Sequence, residues 1–398
     1  MSAWSAARAE EHLLGLELFG MRFGLERMRR LLTALGSPQE RFAAIHVVGT
    51  NGKSSTVRMT AALLEAHGVR AGAFLSPHLT SFAERIRVGD HDLEPEAFGA
   101  AVQRAAAAAA KVDRGLEPGD RVTQFELITA AAFDELARRK VQVAVVEAGL
   151  GGRHDATGVL RAPIVVLTNV GLEHTRYLGT TVAEIAAEKL AVVREGATLV
   201  LGADQPEVLT LAEGTGARIV RPSSAGIDAP GYQKANLAAA VAAAEAILGV
   251  PVGDAPISLA VPGRLHVVGH DPLTILDGAH NAPGVAALLD SVPQGAVAVL
   301  SVLEDKDTEA MLRLLLPRLS AVVLTRAPNP RAQAPEALAD AVRRIAPALP
   351  AEVEPDPRRA VSRAQEISGE HGTVLVTGSI YLVADLLSAP GARRASVL

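Results

Sequence analysis

The sequence predicts an α/β protein, a mostly parallel sheet domain followed by a smaller α/β domain. Three observations carry that expectation. An apolar run, Ile45-His46-Val47-Val48, breaks into Gly49-Thr50-Asn51-Gly52-Lys53-Ser54-Ser55-Thr56 and then into an Ala/Leu-rich stretch, the succession of strand, phosphate-binding turn and helix. Strand-like and helix-like segments alternate over the first two-thirds of the chain, which gives a parallel sheet covered by helices. After a connection punctuated by Pro251, Pro256 and Pro262-Gly263 the alternation restarts, as at a domain boundary.

In chain order, strands are expected at Ala43–Val48, Ala71–Leu75, Val141–Glu147, Ile164–Thr168 and Thr198–Leu201, and helical periodicity marks Val57–His67, Phe125–Lys140 and Val182–Arg194. The Ala105–Ala110 run is read as helix without function. Helix Asn236–Leu248 leads into the connection, and strands follow at Leu273–Leu276, Val297–Val302, Ala321–Thr325 and Thr373–Thr377. The expected division is a P-loop domain over 1–262 and a Rossmann-like α/β domain over 263–398.

Composition narrows the classes. The chain has 398 residues, 49% hydrophobic and 21% charged, with a formal net charge of −5, so no basic field favours nucleic acid as a partner. It has no cysteine, which excludes disulfides, thiolate zinc sites and Cys nucleophiles. The N-terminal segment carries Arg8, Glu10 and Glu11 before any apolar run and resembles neither a signal peptide nor a transit sequence. No stretch approaches the ~18 apolar residues of a membrane span, and the expectation is a cytoplasmic protein.

Lysine occurs at only six positions, 53, 111, 140, 189, 234 and 306, among 39 basic residues. A chain so biased to arginine keeps lysine where a compact ammonium is needed. In the Gly-rich turn, glycines let backbone N–H groups converge on one anion, the helix N-terminus adds positive potential, and Lys53 supplies a charge for the β/γ-phosphates. Ser54 or Ser55 then reaches a magnesium ion.

Strand Val141–Glu147 ends in a carboxylate followed by Ala148-Gly149-Leu150-Gly151-Gly152-Arg153-His154-Asp155-Ala156-Thr157. The carboxyl end of a parallel strand is where such folds bind ligands, so Glu147 is placed to hold magnesium; a plain loop is the alternative. Gly149 does not open a dinucleotide turn, since position 154 is His. Asn169-Val170-Gly171-Leu172 lacks the guanine-reading Asn-Lys-x-Asp, which weakens a switch-GTPase reading. His174 is a ligand or acid/base candidate as much as a structural histidine. On its own segment, Lys189 reads as a solvated surface lysine. Pro262-Gly263-Arg264 and Asp277-Gly278-Ala279-His280-Asn281 read equally as a ligand-facing strand end and as a simple turn.

Together these segments resemble the folylpolyglutamate synthase/dihydrofolate synthase branch of the Mur ligase superfamily. The resemblance runs in order through Phe23-Gly24-Leu25-Glu26-Arg27-Met28, Gly49-Thr50-Asn51-Gly52-Lys53, Ser76-Pro77-His78-Leu79 with Glu84-Arg85-Ile86, and Phe125-Glu126. It continues through Glu147 to Thr157, Gly171 to Thr175, Glu188-Lys189, Pro262-Gly263-Arg264, Asp277 to Asn281, Asp305-Lys306-Asp307 and Thr377-Gly378-Ser379. What it implies is an ATP-dependent amide ligase that phosphorylates a folate carboxylate and passes the acyl group to L-glutamate, dihydropteroate being a further possible acceptor. The C-terminal domain would carry glutamate ligation.

The resemblance also implies site residues. Gly49 to Ser55, Asn236, Arg264 and Asp277 correspond to the ATP site, so ATP contacts are expected from both halves of the chain. Ser76, Glu147, His174 and Ser54 correspond to ligands of magnesium, with two ions expected, and Lys189 to a lysine that is carbamylated and joins them. Lys53, Lys189 and His174 would act in the chemistry. Phe23, Gly24, Leu25, Phe125, Glu126, His154, Asp155, Ala156, His280 and Ser379 would meet the folate or glutamate. The sequence departs from the family at Ser54, where Gly is usual, at Gly158, where Asn is usual, at Leu190-Ala191-Val192, where Ala-Gly-Ile is usual, and at Arg22-Phe23, which lacks an acidic residue. The competing readings are another Mur-type ligase acting on a cell-wall precursor, and a nucleotide-regulated binding module with slow ATPase. Partners are expected to be small molecules only, with neither nucleic acid nor membrane, and the protein a monomer.

Overall fold

The computed structural model describes residues 3–16, 24–253 and 255–389. The described chain forms two compact units, one running to Ile227 and including Ala235–Ser258, the other made of Asp228–Lys234 and the described residues from Leu259 to 389.

The first unit holds an eight-stranded sheet of β1 (Ala43–Val48), β2 (Ala71–Phe74), β3 (Ile86–Val88), β4 (His91–Asp92), β5 (Val143–Glu147), β6 (Ile164–Leu167), β7 (Thr198–Leu201) and β8 (Arg218–Val220), in the order β4-β3-β2-β5-β1-β6-β7-β8. All pairings are parallel except β2 with β3 and β3 with β4. The strands beside β1 are buried along almost their whole length, as continuous Val/Ile/Leu runs require when helices cover both faces. Its helices are α1 (Ala6–Leu14), α2 (Glu26–Ala34), α3 (Lys53–Ala66), α4 (Pro95–Asp113), α5 (Gln124–Arg138), α6 (Thr175–Leu178), α7 (Val182–Leu190), α8 (Pro206–Glu213) and most of α9 (Gln233–Leu248).

One feature of the order sets the site. The chain leaves β1 for β2 on one side of the sheet and leaves the neighbouring β5 for β6 on the other, so the crevice at the carboxyl ends of β1 and β5 is a topological switch point. α3 starts at Lys53, earlier than its apolar periodicity from Val57 suggests, because Gly52 (φ 84°) turns the chain into the helix. α7 stops at Leu190, short of the expected Arg194.

The second unit holds β9 (His266–His270), β10 (Leu273–Leu276), β11 (Ala296–Leu300), β12 (Leu319–Leu324), β13 (Ala351–Val353) and β14 (Thr373–Thr377), in the order β13-β12-β11-β14-β10-β9. Only β9 with β10 is antiparallel. Its helices are α10 (Ala282–Leu289), α11 (Thr308–Leu315), α12 (Pro335–Ile345), α13 (Pro357–Ser368) and α14 (Ile380–Leu387). Leu288, Leu312, Leu338, Val342 and Leu375 are nearly or fully buried in one core, each contributing roughly 1.5–3 kcal/mol by burial. No helix among the described residues is long and apolar enough to cross a membrane.

Candidate active site

The turn after β1 is shaped by what its glycines approach. A Cβ on Gly49 (φ 149°) would lie 1.9 Å from Thr168 Oγ1, and one on Gly52 would lie 2.2 Å from Asn236 Oδ1. Neither position has room for a side chain. The segment after β6 braces the turn: Thr50 N–H donates to the Asn169 carbonyl (3.0 Å), Asn51 N–H donates to Asn169 Oδ1 (2.9 Å), and the Thr168 hydroxyl donates to the Asn51 carbonyl (2.7 Å). The Thr50 hydroxyl bridges Gly171 N–H and the Gly171 carbonyl. The cradle is therefore held open by its neighbours.

Two lysines meet at its base. Lys53 Nζ donates to the carbonyls of Gly49 and Thr50, each at 3.0 Å, and Lys189 Nζ donates to the same Gly49 carbonyl at 2.8 Å. Lys189 is only 2% exposed, so the surface-lysine expectation drawn from its own segment is corrected. Its position near the end of α7, which packs beneath the turn, buries it; that placement is invisible in a helical run read alone. Burial, and then the charge of Lys53, push its amine down to about 7, against the pull of Glu173, Asp155 and Glu188.

Glu147, at the end of β5, is buried and spans two elements. Its Oε1 accepts from the Ser54 hydroxyl (3.0 Å) and its Oε2 from Ser76 N–H (3.1 Å). The Ser54 hydroxyl and the Glu147 carboxylate thus lie together at the helix N-terminus, with Ser76 meeting Glu147 through its amide while its hydroxyl accepts from Arg85 (3.5 Å). Ser55 instead turns inward, with its hydroxyl buried and without a hydrogen-bond partner. His174 starts α6 with φ 49°, exposed, its Nε2 3.6 Å from Glu173 Oε1. Among the described residues no group of three or more His, Asp or Glu side chains could hold a metal by itself.

Beside the cradle, residues 149–158 form a tight loop. The Phe125 ring, at the start of α5, packs so close to Gly149 that a Cβ there would come within 2.5 Å of it, and Leu25 Cδ1 lies 3.6 Å from where a Gly158 Cβ would be. Gly24 has φ 119°. Asp155 is buried: Oδ2 accepts from Leu150 N–H (2.8 Å), and Oδ1 from Thr157 N–H (2.9 Å) and the Thr157 hydroxyl (2.5 Å). Burial raises its carboxyl, opposed by those hydrogen bonds. Ala156 is buried beside it and His154 is exposed. Arg153 N–H donates to the Glu188 carbonyl (3.1 Å), tying the loop to the end of α7 that carries Lys189.

Glu126 serves the fold at the start of α5. Its carboxylate closes the capping box of α5 with Thr123 and accepts from the buried Arg27 guanidinium at 3.2 Å. The signal was present in Thr123-Gln124-Phe125-Glu126, the Thr-x-x-Glu pattern of a helix start. Phe23 lies outside the described residues.

In the second unit Asp277 is the organising group. It accepts from the Tyr232 hydroxyl (2.5 Å) and Leu265 N–H (2.8 Å) through Oδ2, and from Ala279 N–H (2.9 Å) through Oδ1. Tyr232 was not singled out from the sequence, and its phenol is pushed up by burial and by Asp277. Arg264 packs against Gly278, where a Cβ would meet its guanidinium at 2.3 Å. His280 Nδ1 lies 2.9 Å from the Gly278 carbonyl. Ser379 is buried and caps α14 by accepting from Tyr381 N–H.

The chain is similar to known proteins along nearly its whole length. The model of the Mur ligase middle domain matches residues 47–268, and that of the Mur ligase glutamate ligase domain matches residues 263–380. The chain is 32% identical to the dihydrofolate synthase/folylpolyglutamate synthase of Bacillus subtilis, over 97% of this chain and 98% of that protein. Among solved structures, it superposes on Mycobacterium tuberculosis folylpolyglutamate synthase complexed with ADP at TM-score 0.87 and 30% identity, covering 98% of this chain and 99% of the other. It also superposes on a bifunctional folylpolyglutamate synthase/dihydrofolate synthase with Mn, AMPPNP and L-glutamate bound, at TM-score 0.83 and 28% identity, covering 96% of this chain and 97% of the other.

Proposed function

Since the chain belongs to the folylpolyglutamate synthase/dihydrofolate synthase branch of the Mur ligases, we propose a division of its reaction among the residues described above. It is an ATP-dependent ligase that adds L-glutamate to a folate. The γ-phosphoryl group of ATP passes to the folate carboxylate, forming a carboxyl–phosphate bond and releasing ADP. The glutamate amine then attacks the acyl carbon, loses a proton, and phosphate leaves as the amide forms.

The observation that carries the reading is the turn closed by Gly49 and Gly52 with Lys53 and Lys189 at its base. We assign Gly49 to Ser54 and Asn236 to ATP, with Lys53 neutralising charge on the transferred group. Arg264 and Asp277 complete the ATP set, Asp277 by holding Leu265 and Tyr232 in place. Ser54, rather than the inward-turned Ser55, joins Glu147 and Ser76 as the oxygen donors for magnesium. One carboxylate with two hydroxyls fits an ion that keeps water and phosphate oxygens as its other ligands. Magnesium held there would offset phosphate charge. Lys189 as a carbamate, with His174, would hold a second ion.

We assign the folate to the wall made by Gly24, Leu25, Phe125, His154, Asp155 and Ala156, and glutamate to His280 and Ser379. The division into an ATP-binding domain over 1–262 and a glutamate-ligating domain over 263–398 follows the same reading, as does a monomer acting in the cytoplasm on small molecules. We infer that dihydropteroate is also an acceptor.

Incubation with ATP, magnesium, L-glutamate and either dihydropteroate or a reduced folate tests this. ADP release that requires both glutamate and a folate acceptor, with amide product by mass spectrometry, is expected. ADP release indifferent to acceptor would point to the binding module, and product only with a cell-wall precursor to the other ligase class. Gly49→Ala is expected to weaken ATP-analogue binding at least about fivefold by calorimetry, because strained φ and the Thr168 clash together cost on the order of 1–3 kcal/mol. Unchanged affinity would mean the nucleotide sits elsewhere.

A further inference from the structure

His46 is a buried titratable group that the reaction above does not use. It sits in the middle of β1, paired in register with Val146 and Val165, and is 0% exposed. Burial holds its imidazole down to about 4, so the ring is uncharged at neutral pH. A histidine in an otherwise apolar central strand costs desolvation that valine would not. Its hydrogen bonds give it a purpose.

Nε2 lies 2.8 Å from Thr157 Oγ1, and Thr157 Oγ1 lies 2.5 Å from Asp155 Oδ1. A threonine hydroxyl has one proton. If that proton goes to the carboxylate, the hydroxyl can only accept from His46, and Nε2 must carry the hydrogen. Nδ1 is then a bare acceptor, and it is indeed buried with no hydrogen-bond partner. The other tautomer would orphan a buried N–H at Nδ1 and draw the hydroxyl proton away from Asp155, losing two interactions at once.

We propose that His46, as its Nε2–H tautomer, is a positioning residue that fixes the Thr157 hydroxyl as a donor to Asp155 and so sets the carboxylate in the orientation that receives the folate. This rests on the assignment of Asp155 to the folate wall. The direction of the relay follows from proton count: histidine gives to threonine, threonine gives to aspartate, and the loop amides of Leu150 and Thr157 supply the carboxylate's other donors. Oδ1 accepts twice from Thr157, which turns Oδ2, the acceptor from Leu150 N–H, toward the folate side.

The test compares His46→Leu with His46→Gln, whose amide can donate from about the place of Nε2, and Thr157→Val with Thr157→Ser, which keeps the hydroxyl. Leu and Val should raise the folate KM about fivefold, as for loss of one buried hydrogen bond, with the ATP KM unchanged, and Gln and Ser should restore it. Equal impairment in Leu and Gln, or a rise in both KM values together, would overturn the proposal as mere packing. Asp155→Asn separates the two levels: an unchanged folate KM there rejects the assignment of Asp155 to folate. The tautomer is read independently by nitrogen NMR of the labelled wild-type protein, with the His46 signals assigned by their loss in His46→Gln. A protonated Nε2 and bare Nδ1 are expected, and a protonated Nδ1 would overturn the relay whatever the kinetics.

Discussion

Lys53→Ala is expected to lower kcat by about a thousandfold or more while the protein stays folded, as for loss of a preorganised electrostatic clamp. In the structure its ammonium folds back onto two carbonyls of its own loop, Gly49 and Thr50, and these are ready to exchange it for phosphate oxygens. Removing the side chain leaves carbonyls at the rim of a partly exposed turn, where water takes its place, so the stability cost is about 1 kcal/mol. Lys53→Arg should not rescue, because a planar fork cannot occupy a position built for a point charge. Turnover near the wild-type rate in Lys53→Ala, with an unchanged melting temperature, would remove the phosphate cradle from the mechanism.

Lys189→Ala should be nearly as inactive, for a different reason. Its amine is buried against the Gly49 carbonyl with Lys53 as a repelling neighbour, an arrangement that no surface role explains. As a carbamate it would present two oxygens of carboxylate character in the same place, close to the cradle. Acetate or propionate should then restore part of the activity of Lys189→Ala by filling the gap left by the side chain. Carbon NMR under labelled bicarbonate should show a carbamate signal in wild type that the variant lacks. Absence of both the signal and the rescue would leave Lys189 as an unmodified buried amine and end the second-ion assignment.

Much of the architecture was legible because it rests on local pattern. β1, β7, β10 and β14 begin and end where their apolar runs do, and the glycine–lysine turn announces its own geometry. β9 escaped notice since an edge strand with Val267 and Val268 exposed shows no buried face to read. β3, β4 and β13 are two or three residues long, too short for any period. The site was legible as a set of segments and not as contacts. That Lys189 reaches Gly49, 140 residues away, or that Tyr232 belongs to Asp277, depends on which elements the fold brings together. The capping role of Glu126 was legible in Thr123-x-x-Glu126, whereas its pairing with Arg27, 99 residues away, was not. His46 could be seen only as one polar letter in an apolar strand, with nothing to say which partner would accept it.

The position of β1 at the switch point also governs how the molecule comes into being. Its partners lie far downstream, Ala43 pairing with Val143 and Ile45 with Ile164. At a synthesis rate of about 5–20 residues per second, an apolar segment emerges and waits several seconds for the strands that will flank it. Such distant parallel pairing is slow even after release, because loop closure must precede any reward from contact. The nucleotide cradle, which exists only where β1, β5 and β6 adjoin, therefore cannot take shape until the chain has passed Leu167, and nascent chains halted before Val143 should expose an unpaired β1 as a hold for chaperones.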